Sequence, residues 1–435
     1  MRPINEAAVH LLLSLFLAFD LNYSESSPGL GDRRIVLSHR RPLTILMHYD
    51  IPFYVLSFLL LDPPSTLART SDLLFHPRSW FPSPPQKRYD TFDVNPNGST
   101  FLWILEDDYS GSTFFNHFGF YDGEDPTHGT VNYVNSSVAF SKGLAYVQDD
   151  GIVVMKGDNT TTLDDGVNRD SVRVSSYAQY NTGLFILDLN QAPWGCGVWP
   201  AFWTLGSGVW PNTGEIDIIE GVHDNQHNQV AWHTKAGCYL NPNASFTGTV
   251  VETNGVNNTI CDGTVNSNAG CGITEWSRAS YGPYFDAQGG GIFAMKWDEN
   301  GIAVYSFYRA AIPVDINNGS PNPSNWGVPV ASLVSADCDP LEYFANHSII
   351  FDITFCGDWA GNSYATSGCP GSCSDRLKDP SNFVNASWSI NSLKVYRKQI
   401  LNGQVSAASP SPITRGPLIW GLTYLLIFVG ILTSL

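Results

Sequence analysis

Residues 291–297 (GIFAMKW) and 301–308 (GIAVYSFY) carry the pattern that decides the fold class of this chain. Each segment is short, is rich in β-branched or aromatic residues, and is bounded by Gly, Asp or Asn. Such composition favours β-strands, and the residues at the segment ends favour turns. The same texture recurs along the chain, at 151–155 (GIVVM), 171–175 (SVRVS), 183–189 (GLFILDL) and 349–355 (IIFDITF).

Helical periodicity is missing from the same region. No stretch of about 12 or more residues places its apolar side chains at the 3.6-residue spacing of an amphipathic helix. Many short strands separated by frequent turn signals therefore predict an all-β protein, built as a two-sheet sandwich or jelly roll.

Composition narrows the range of functions. The 435-residue chain is 43% hydrophobic and only 14% charged, which excludes a disordered polyelectrolyte and a coiled coil. Its net charge of −17 repels phosphate backbones, so no nucleic-acid partner is expected. The 13 tryptophans suit a neutral, hydroxyl-rich ligand, because indole faces stack on sugar rings. Solubility in an acidic medium is the alternative explanation for the charge.

Both ends of the chain differ from the middle. Residues 1–88 are predicted to be a leader, with an apolar run at 7–19, followed by a Pro/Ser-rich linker. Residues 89–398 form the folded body, 399–417 a Ser/Pro spacer and 418–435 an apolar tail. Small residues, a polar spacer and an apolar tail are the order of a GPI-attachment signal, and a retained transmembrane anchor is the alternative. Either alternative places the body at the cell surface.

The eight cysteines contain no CxxC pair, which argues against a zinc ribbon or a thioredoxin-type site. We predict at least three disulfides, and Cys369 and Cys373 are close enough in sequence to close a tight loop. Eight N-x-S/T sequons favour a secreted, glycosylated protein. The sequons begin at Asn97, Asn135, Asn159, Asn243, Asn257, Asn318, Asn346 and Asn385.

The segment 214–221 (GEIDIIEG) holds the most informative chemistry. On a strand, Glu215 and Asp217 point to one face and the isoleucines between them point to the other. Strict alternation would turn Glu220 into the core, where an unpaired carboxylate costs several kcal/mol. A β-bulge near Ile218–Ile219 restores Glu220 to the acidic face, so we predict one there.

The spacing of the two glutamates bears on mechanism. Their Cα atoms lie about 13 Å apart along a strand, and leaning side chains bring the carboxyl groups near the ~5–5.5 Å of retaining glycosidases. Asp217 between them helps to hold one glutamate ionised and the other protonated. The residues alone leave two alternatives open, a solvated acidic strand and a calcium site.

The flanking segments narrow these alternatives. Upstream runs PWGCGVWPAFWTLG (193–206), and downstream runs GVHDNQHNQVAWHT (221–234). With the E-x-D-x-x-E strand, these resemble the laminarinase branch of glycoside hydrolase family 16. Further segments match the same pattern in order, at 108–115 (DYSGSTFF), 125–129 (DPTHG), 289–297 (GGGIFAMKW) and 355–361 (FCGDWAG). The resemblance covers residues 89–398.

The resemblance implies a curved β-jelly roll with a concave substrate groove. It also implies retaining hydrolysis of β-1,3-linked glucans, often with tolerance for β-1,4 or β-1,6 linkages. Glu215 matches the nucleophile, Glu220 the general acid/base and Asp217 the helper between them. No cofactor is required; the family often carries a structural calcium, whose ligands cannot be placed in this sequence.

Further side chains carry over from the same resemblance. Trp203, Trp210 and Trp359 fall where family members stack sugars, with core packing as the alternative for each. His233 on the following strand is expected to reach the acid/base or a sugar hydroxyl. Trp199 shares a face with Trp203 on an alternating strand, but we assign it to the core.

The leading function is thus a secreted or cell-surface endo-β-1,3(4)-glucanase, acting as a monomer on β-glucan. A glucan transglycosylase would use the same residues with a sugar as acceptor. A β-glucan-binding lectin without activity is the alternative outside enzymes, and the presence of all three carboxylates argues against it.

Overall fold

The computed structural model describes residues 92–278 and 280–401. The predicted leader and linker (1–88), the apolar tail (418–435) and the spacer beyond residue 401 lie outside the described residues. Within the described part of the chain, no helix is long and apolar enough to cross a bilayer.

Strands dominate the described residues, as their β-branched and aromatic composition predicts. The strands are β1 (Asp93–Val94), β2 (Thr100–Tyr109), β3 (Phe118–Phe120), β4 (Val131–Tyr133), β5 (Ala145–Val147), β6 (Val153–Lys156), β7 (Arg169–Ser171), β8 (Arg173–Tyr180), β9 (Gly183–Gln191), β10 (Val198–Gly206), β11 (Glu215–Glu220), β12 (Gln229–His233), β13 (Thr249–Val250), β14 (Glu252–Thr253), β15 (Val256–Asn257), β16 (Cys271–Thr274), β17 (Gly291–Asp298), β18 (Gly301–Tyr308), β19 (Ala331–Val334), β20 (His347–Phe355) and β21 (Ser387–Ile400).

Helices are short and lie in the connections. The α-helices are α1 (Ser136–Ser141), α2 (Gly282–Ala287), α3 (Val314–Asn317), α4 (Pro340–Tyr343) and α5 (Cys373–Arg376). Short 3-10 helices occur at Gly111–His117, Asn266–Asn268, Arg309–Ala311, Pro323–Asn325, Tyr364–Thr366 and Pro380–Phe383, and a π turn at Gly357–Gly361.

Two large antiparallel sheets form the body. One has the order β1-β2-β21-β9-β17-β18-β19, with β6 joined to β21 and β5 to β6. The other has the order β13-β16-β12-β11-β10-β20-β8-β3. Each order also contains neighbours that are distant in sequence, such as β2 and β21 in one sheet and β10 and β20 in the other, as the crossing connections of a jelly roll require. The predicted all-β, two-sheet jelly roll is confirmed.

The core lies between the two sheets. Phe351 on β20 stacks on Phe202 of β10 with ring centroids 4.7 Å apart, and meets Trp388 of β21, in the opposite sheet, edge-on at 5.5 Å. All three rings are at most 1% exposed. Burial of each phenylalanine ring contributes roughly 1.5–3 kcal/mol relative to leaving it exposed, and the larger Trp388 ring contributes more. This apolar layer holds the eight-stranded sheet in place and leaves its other face free to carry polar side chains.

Four disulfides pair all eight cysteines, which confirms the prediction of at least three. The pairs are Cys196–Cys369, Cys238–Cys338, Cys261–Cys271 and Cys356–Cys373. The predicted disulfide between Cys369 and Cys373, which would close a tight loop, is therefore wrong. Cys369 bonds the connection between β9 and β10, whereas Cys373 at the start of α5 bonds the residue that follows β20. Tertiary neighbours, and not sequence proximity, decide these pairs.

Candidate active site

An open cleft of about 750 Å³ lies on the face of the eight-stranded sheet that points away from the core. All seven side chains that the sequence analysis singled out line it. They are Trp203, Trp210, Glu215, Asp217, Glu220, His233 and Trp359. The concave groove expected from the resemblance is thus present, and the predicted residues share it.

Strand β11 contains the predicted bulge. On its β10 side, Trp203 pairs with Asp217 and Phe202 with Ile219, so one residue of β11 is left without a partner. On its β12 side, the pairing also shifts between Asp217 and Glu220. Ile218 and Ile219 are both fully buried. The extra residue lets two consecutive isoleucines enter the core and returns Glu220 to the cleft with the other two carboxylates.

A buried asparagine that sequence analysis missed holds this bulge. A bulge leaves backbone groups without ladder partners. The side chain of Asn228 replaces them, since its Oδ1 accepts from the Glu220 N–H at 2.9 Å and its amide donates to the Ile218 carbonyl at 2.9 Å. Asn228 is fully buried and its own N–H donates to Ser280. The only sequence signal for this role was the need for a bulge.

The cleft face of β10 opposes the three carboxylates. Ala201 pairs with Glu220, Trp203 with Asp217 and Leu205 with Glu215 in the register of the two strands. Trp199 lies on the same face and lines the cleft, so its assignment to the core is wrong. The alternation of β10 placed it correctly on the face of Trp203, but sequence alone did not show which face carries the cleft.

Each glutamate receives a hydrogen bond from a different indole. Trp210 Nε1 donates to Glu215 Oε2 at 2.9 Å, and Trp199 Nε1 donates to Glu220 Oε1 at 2.9 Å. An N–H donor stabilises the ionised carboxylate and fixes its orientation. Glu215, Asp217 and Glu220 form a row of carboxylates along the cleft, here called the carboxylate row. The two tryptophans therefore act separately on its two ends, Trp210 on Glu215 and Trp199 on Glu220.

His233 lies beside Glu215 and Asp217 and not beside the predicted acid/base. It pairs with Glu215 across β11 and β12, and its Nε2 is 3.5 Å from Asp217 Oδ2 and 3.9 Å from Glu215 Oε1. Although burial disfavours the imidazolium, the contact with Asp217 and the charges of the carboxylates raise the pKa of His233 to about 9. A positive charge thus lies next to Glu215 at neutral pH.

Burial sets the ionisation of the two glutamates. It raises the pKa of Glu215 to about 7 and that of Glu220 to about 8, with the charge of Asp217 as the second cause in both. His233 and the Trp210 N–H oppose the rise at Glu215, and the Trp199 N–H opposes it at Glu220. Both carboxyls therefore hold a proton to higher pH than free glutamates do, and the neighbouring His233 favours the ionised form of Glu215, as a nucleophile requires.

Trp203 is placed differently from the other tryptophans. It is 9% exposed, its Nε1 donates to Asp352 at 3.2 Å, and the guanidinium of Arg173 lies 5.0 Å from its ring centroid. Burial raises the pKa of Asp352 to about 7, although Arg173 opposes the rise. Trp203 therefore forms part of the cleft floor, braced by Arg173 and Asp352, two cleft residues that the sequence analysis did not select.

Trp359 lies at the rim of the cleft on the π turn that follows β20. Its ring meets that of Trp199 edge-on, with centroids 5.8 Å apart. The neighbouring Asp358 accepts a hydrogen bond from His128 Nδ1 at 2.8 Å, which joins the DPTHG and GDWAG segments. The pair Trp199 and Trp359 gives the cleft an aromatic corner next to Glu220.

The calcium alternative can be tested on the side chains present. In the described ranges, Glu215, Asp217 and His233 offer atoms within 4.8 Å of one another. A protonated imidazole nitrogen has no lone pair for a metal, and calcium prefers oxygen ligands. The other cluster of this kind, Cys196, Asp224 and Cys369, contains a disulfide. Neither cluster fits calcium, and the described residues assign no ligands to the structural calcium that the family often carries.

The family follows from comparison with known proteins. The family model described as the XgeA-like catalytic GH16 domain matches residues 118–396, which include the whole carboxylate row. The chain belongs to glycoside hydrolase family 16 and is a glycoside hydrolase.

Individual relatives agree with this assignment. A probable glycosidase of Schizosaccharomyces pombe is 44% identical over 310 residues, covering 70% of this chain and 72% of that protein. The endo-1,3(4)-beta-glucanase xgeA of Emericella nidulans is 38% identical over 304 residues, covering 67% of this chain but only 47% of that protein. This chain therefore spans about half the length of the second relative.

A solved structure is similar as well. Laminarinase 16A from Phanerochaete chrysosporium, with 6-O-glucosyl-laminaritriose in both donor and acceptor sites, is 42% identical with a TM-score of 0.64. The match covers 68% of this chain and 100% of that one.

Proposed function

We propose that this protein is an endo-β-1,3(4)-glucanase that hydrolyses β-glucans with retention of anomeric configuration. The observation that carries the proposal is the bulged strand β11, which brings Glu215, Asp217 and Glu220 to the wall of one open cleft. The relatives named as an endo-1,3(4)-beta-glucanase and a laminarinase support the choice of substrate.

The reaction uses the two glutamates in turn. The Glu215 carboxylate attacks the anomeric carbon while Glu220 gives its proton to the leaving oxygen, and a glycosyl ester forms on Glu215. Glu220, now ionised, takes a proton from water, and that water displaces Glu215 from the sugar. The position of His233 beside Glu215 supports these roles, because a neighbouring imidazolium favours the ionised form that the nucleophile needs.

Aromatic surfaces on both sides of the carboxylates favour internal cleavage. Trp210, 38% exposed, lies at the Glu215 end, whereas Trp199 and Trp359 lie at the Glu220 end. Sugars stacked at both ends would hold the scissile bond in the middle of a chain, as an endo-acting enzyme requires. Trp203 on the floor would contact the sugar between them.

Glucan transfer is the second candidate. Laminarinase 16A holds a glucan in an acceptor site, and the aromatic corner of this cleft could hold an acceptor in the same way. Transfer differs from hydrolysis only in the molecule that attacks the glycosyl ester. A lectin is disfavoured, because sugar binding alone does not need a row of buried carboxylates whose like charges oppose one another.

Product analysis on β-1,3, mixed β-1,3/1,4 and β-1,6 glucans tests the proposal. Shorter products of retained configuration are expected from laminarin, and products longer than the substrate would show transfer. Glu215→Gln should abolish hydrolysis; Glu220→Ala should be rescued by azide on substrates with good leaving groups, giving a glycosyl azide of retained configuration. Glu106→Gln, an exposed carboxylate on the other sheet, is the control. Equal, small losses at Glu215 and Glu220 would contradict the assignment.

We also propose an extracellular location for the enzyme. Four disulfides and eight sequons support it. The small residues at 406–408, the spacer and the apolar run at 418–435 support attachment through a GPI anchor.

A further inference from the structure

A disulfide-closed loop lies against one end of the carboxylate row. Cys261 and Cys271 are bonded to each other, and the residues between them form the loop that precedes β16. At one foot, the Thr234 N–H donates to the Cys261 carbonyl at 2.7 Å and the Gly263 N–H donates to the Thr234 carbonyl at 2.9 Å. At the other foot, Cys271 pairs with Trp232. The two ends of the loop therefore contact Trp232 and Thr234, the residues on either side of His233 in the chain.

Two glycines of this loop pack against the two side chains that contact Glu215. A Cβ at Gly263 would lie 2.8 Å from the indole ring of Trp210. A Cβ at Gly270 would lie 2.6 Å from Nδ1 of His233. The loop backbone thus fills the space behind both rings, on the side away from the nucleophile, and leaves neither ring room to move back.

The loop holds a backbone shape that side chains seldom adopt. Asn266, Ser267 and Asn268 are consecutive and have φ of 54°, 56° and 62°, and Gly270 has φ of 58°. Left-handed conformations at residues other than glycine are costly and persist only when the surroundings fix them. Here the two hydrogen bonds with Thr234 fix the Cys261 end of the loop, the pairing with Trp232 fixes the Cys271 end, and the disulfide joins the two ends. The same turn brings Ser267 and Asn268 to the wall of the cleft.

We propose that the Cys261–Cys271 loop is a positioning element that holds Trp210 and His233 against Glu215. The inference rests on the proposed role of Glu215 as nucleophile. The loop touches no reacting atom itself. It acts by keeping one indole N–H on Glu215 and one imidazolium beside Glu215 and Asp217.

The electrostatic consequence has a definite sign. The groups that face His233 from β11 are Glu215, Asp217 and Glu220, all negative when ionised. On the loop side, the carboxylate of Asp262 accepts from the backbone and hydroxyl of Thr264. Displacing His233 or Trp210 therefore removes a cation or a donor from Glu215, whose pKa rises further. The acid limb of activity then moves to higher pH.

Two glycine substitutions and a matched control test the positioning role. Gly270→Ala presses on His233 and Gly263→Ala presses on the far edge of Trp210. Gly143→Ala is the control for backbone strain, because Gly143 has φ of +65° with no atom within 4 Å of its Cβ position. We expect each loop variant to lose kcat by about tenfold or more, since small misplacements near reacting groups are costly. The acid limb of its kcat/KM profile should move up in pH.

Laminarin hydrolysis by the wild-type protein is measured first, because its absence would refute the proposed function and not the loop. With an active wild type, loop variants that keep the wild-type pH profile and kcat overturn the inference. So does a Gly143→Ala variant that loses as much activity as the loop variants. Gly270 also abuts the Trp232 carbonyl. Gly263→Ala therefore decides the matter if Gly270→Ala fails to fold, because the three atoms nearest to its Cβ belong to the Trp210 and Pro211 side chains.

Discussion

The two indole hydrogen bonds give the sharpest test of the catalytic assignment. Trp210→Phe and Trp199→Phe each keep an aromatic ring but remove the N–H that donates to Glu215 or to Glu220. An N–H donor favours the ionised carboxylate, so its loss raises the pKa of the glutamate concerned. The proposed mechanism requires Glu215 ionised and Glu220 protonated. Trp210→Phe should therefore move the acid limb of kcat/KM to higher pH, and Trp199→Phe should move the basic limb to higher pH.

The size of each shift follows from the exposure of each donor. A hydrogen bond to a charged group contributes about 1.5–3 kcal/mol, which corresponds to about 1–2 pKa units. Trp210 is 38% exposed, so water can replace part of its hydrogen bond. We therefore expect a shift of about half a unit to one unit for Trp210→Phe. Trp199 is more enclosed, and its replacement should give the larger shift, of about 1–2 units.

The assay is the pH dependence of kcat/KM on a β-1,3-glucan oligosaccharide. Trp194→Phe is the matched control, because Trp194 is half-buried and its Nε1 donates to Asp286 outside the cleft at 2.7 Å. That variant should leave both limbs in place. A shift of the same limb in both test variants, or a loss of rate with both limbs unmoved, would show that the two indoles do not act on separate catalytic groups.

Three further predictions follow from the bulge, the cysteines and the tail. Asn228→Ala leaves the Glu220 N–H and the Ile218 carbonyl without their hydrogen-bond partners. It should lower the free energy of unfolding by roughly 2–5 kcal/mol in denaturant titration. An unchanged unfolding midpoint would show that the bulge does not need this residue. Thiol titration of the denatured, unreduced protein should find no free thiol, because all eight cysteines are paired, whereas two or more would contradict the disulfide assignment. Phosphatidylinositol-specific phospholipase should release active enzyme from membranes; activity left in the pellet, with Trp420 still present in the mature protein, would indicate a retained transmembrane anchor.

Local sequence determined the strands, the family resemblance and the row of three carboxylates on β11. Short β-branched segments between glycines require strands because their backbone and side-chain preferences are local. The bulge was also predictable, since a charged Glu220 in register with Ile216 and Ile218 would be buried without a partner. Both arguments need only the alternation of one strand and the cost of burying a charge.

Other parts of the site depended on residues far apart in the chain. The sequence placed Trp199 on the face of Trp203 but could not tell that this face meets a cleft, which only the sheet order shows. Cys369 pairs with Cys196, 173 residues away in sequence, and Cys373 pairs with Cys356, 17 residues away, so the fold and not sequence proximity decides both partners. Asn228 and Arg173 gave no signal of their own, because each acts through a partner that the fold brings to it.

Sequence therefore determined which carboxylates share one face of strand β11, and tertiary structure decided how each one is held. The order Glu215, Asp217, Glu220 is a property of one strand, and alternation with a single bulge is enough to derive it. The N–H donors, the imidazolium and the disulfide loop come from four other segments of the chain. Their contacts depend on sheet pairing and loop packing, which are non-local, so the ionisation and orientation of the two glutamates were decided only when the chain had folded.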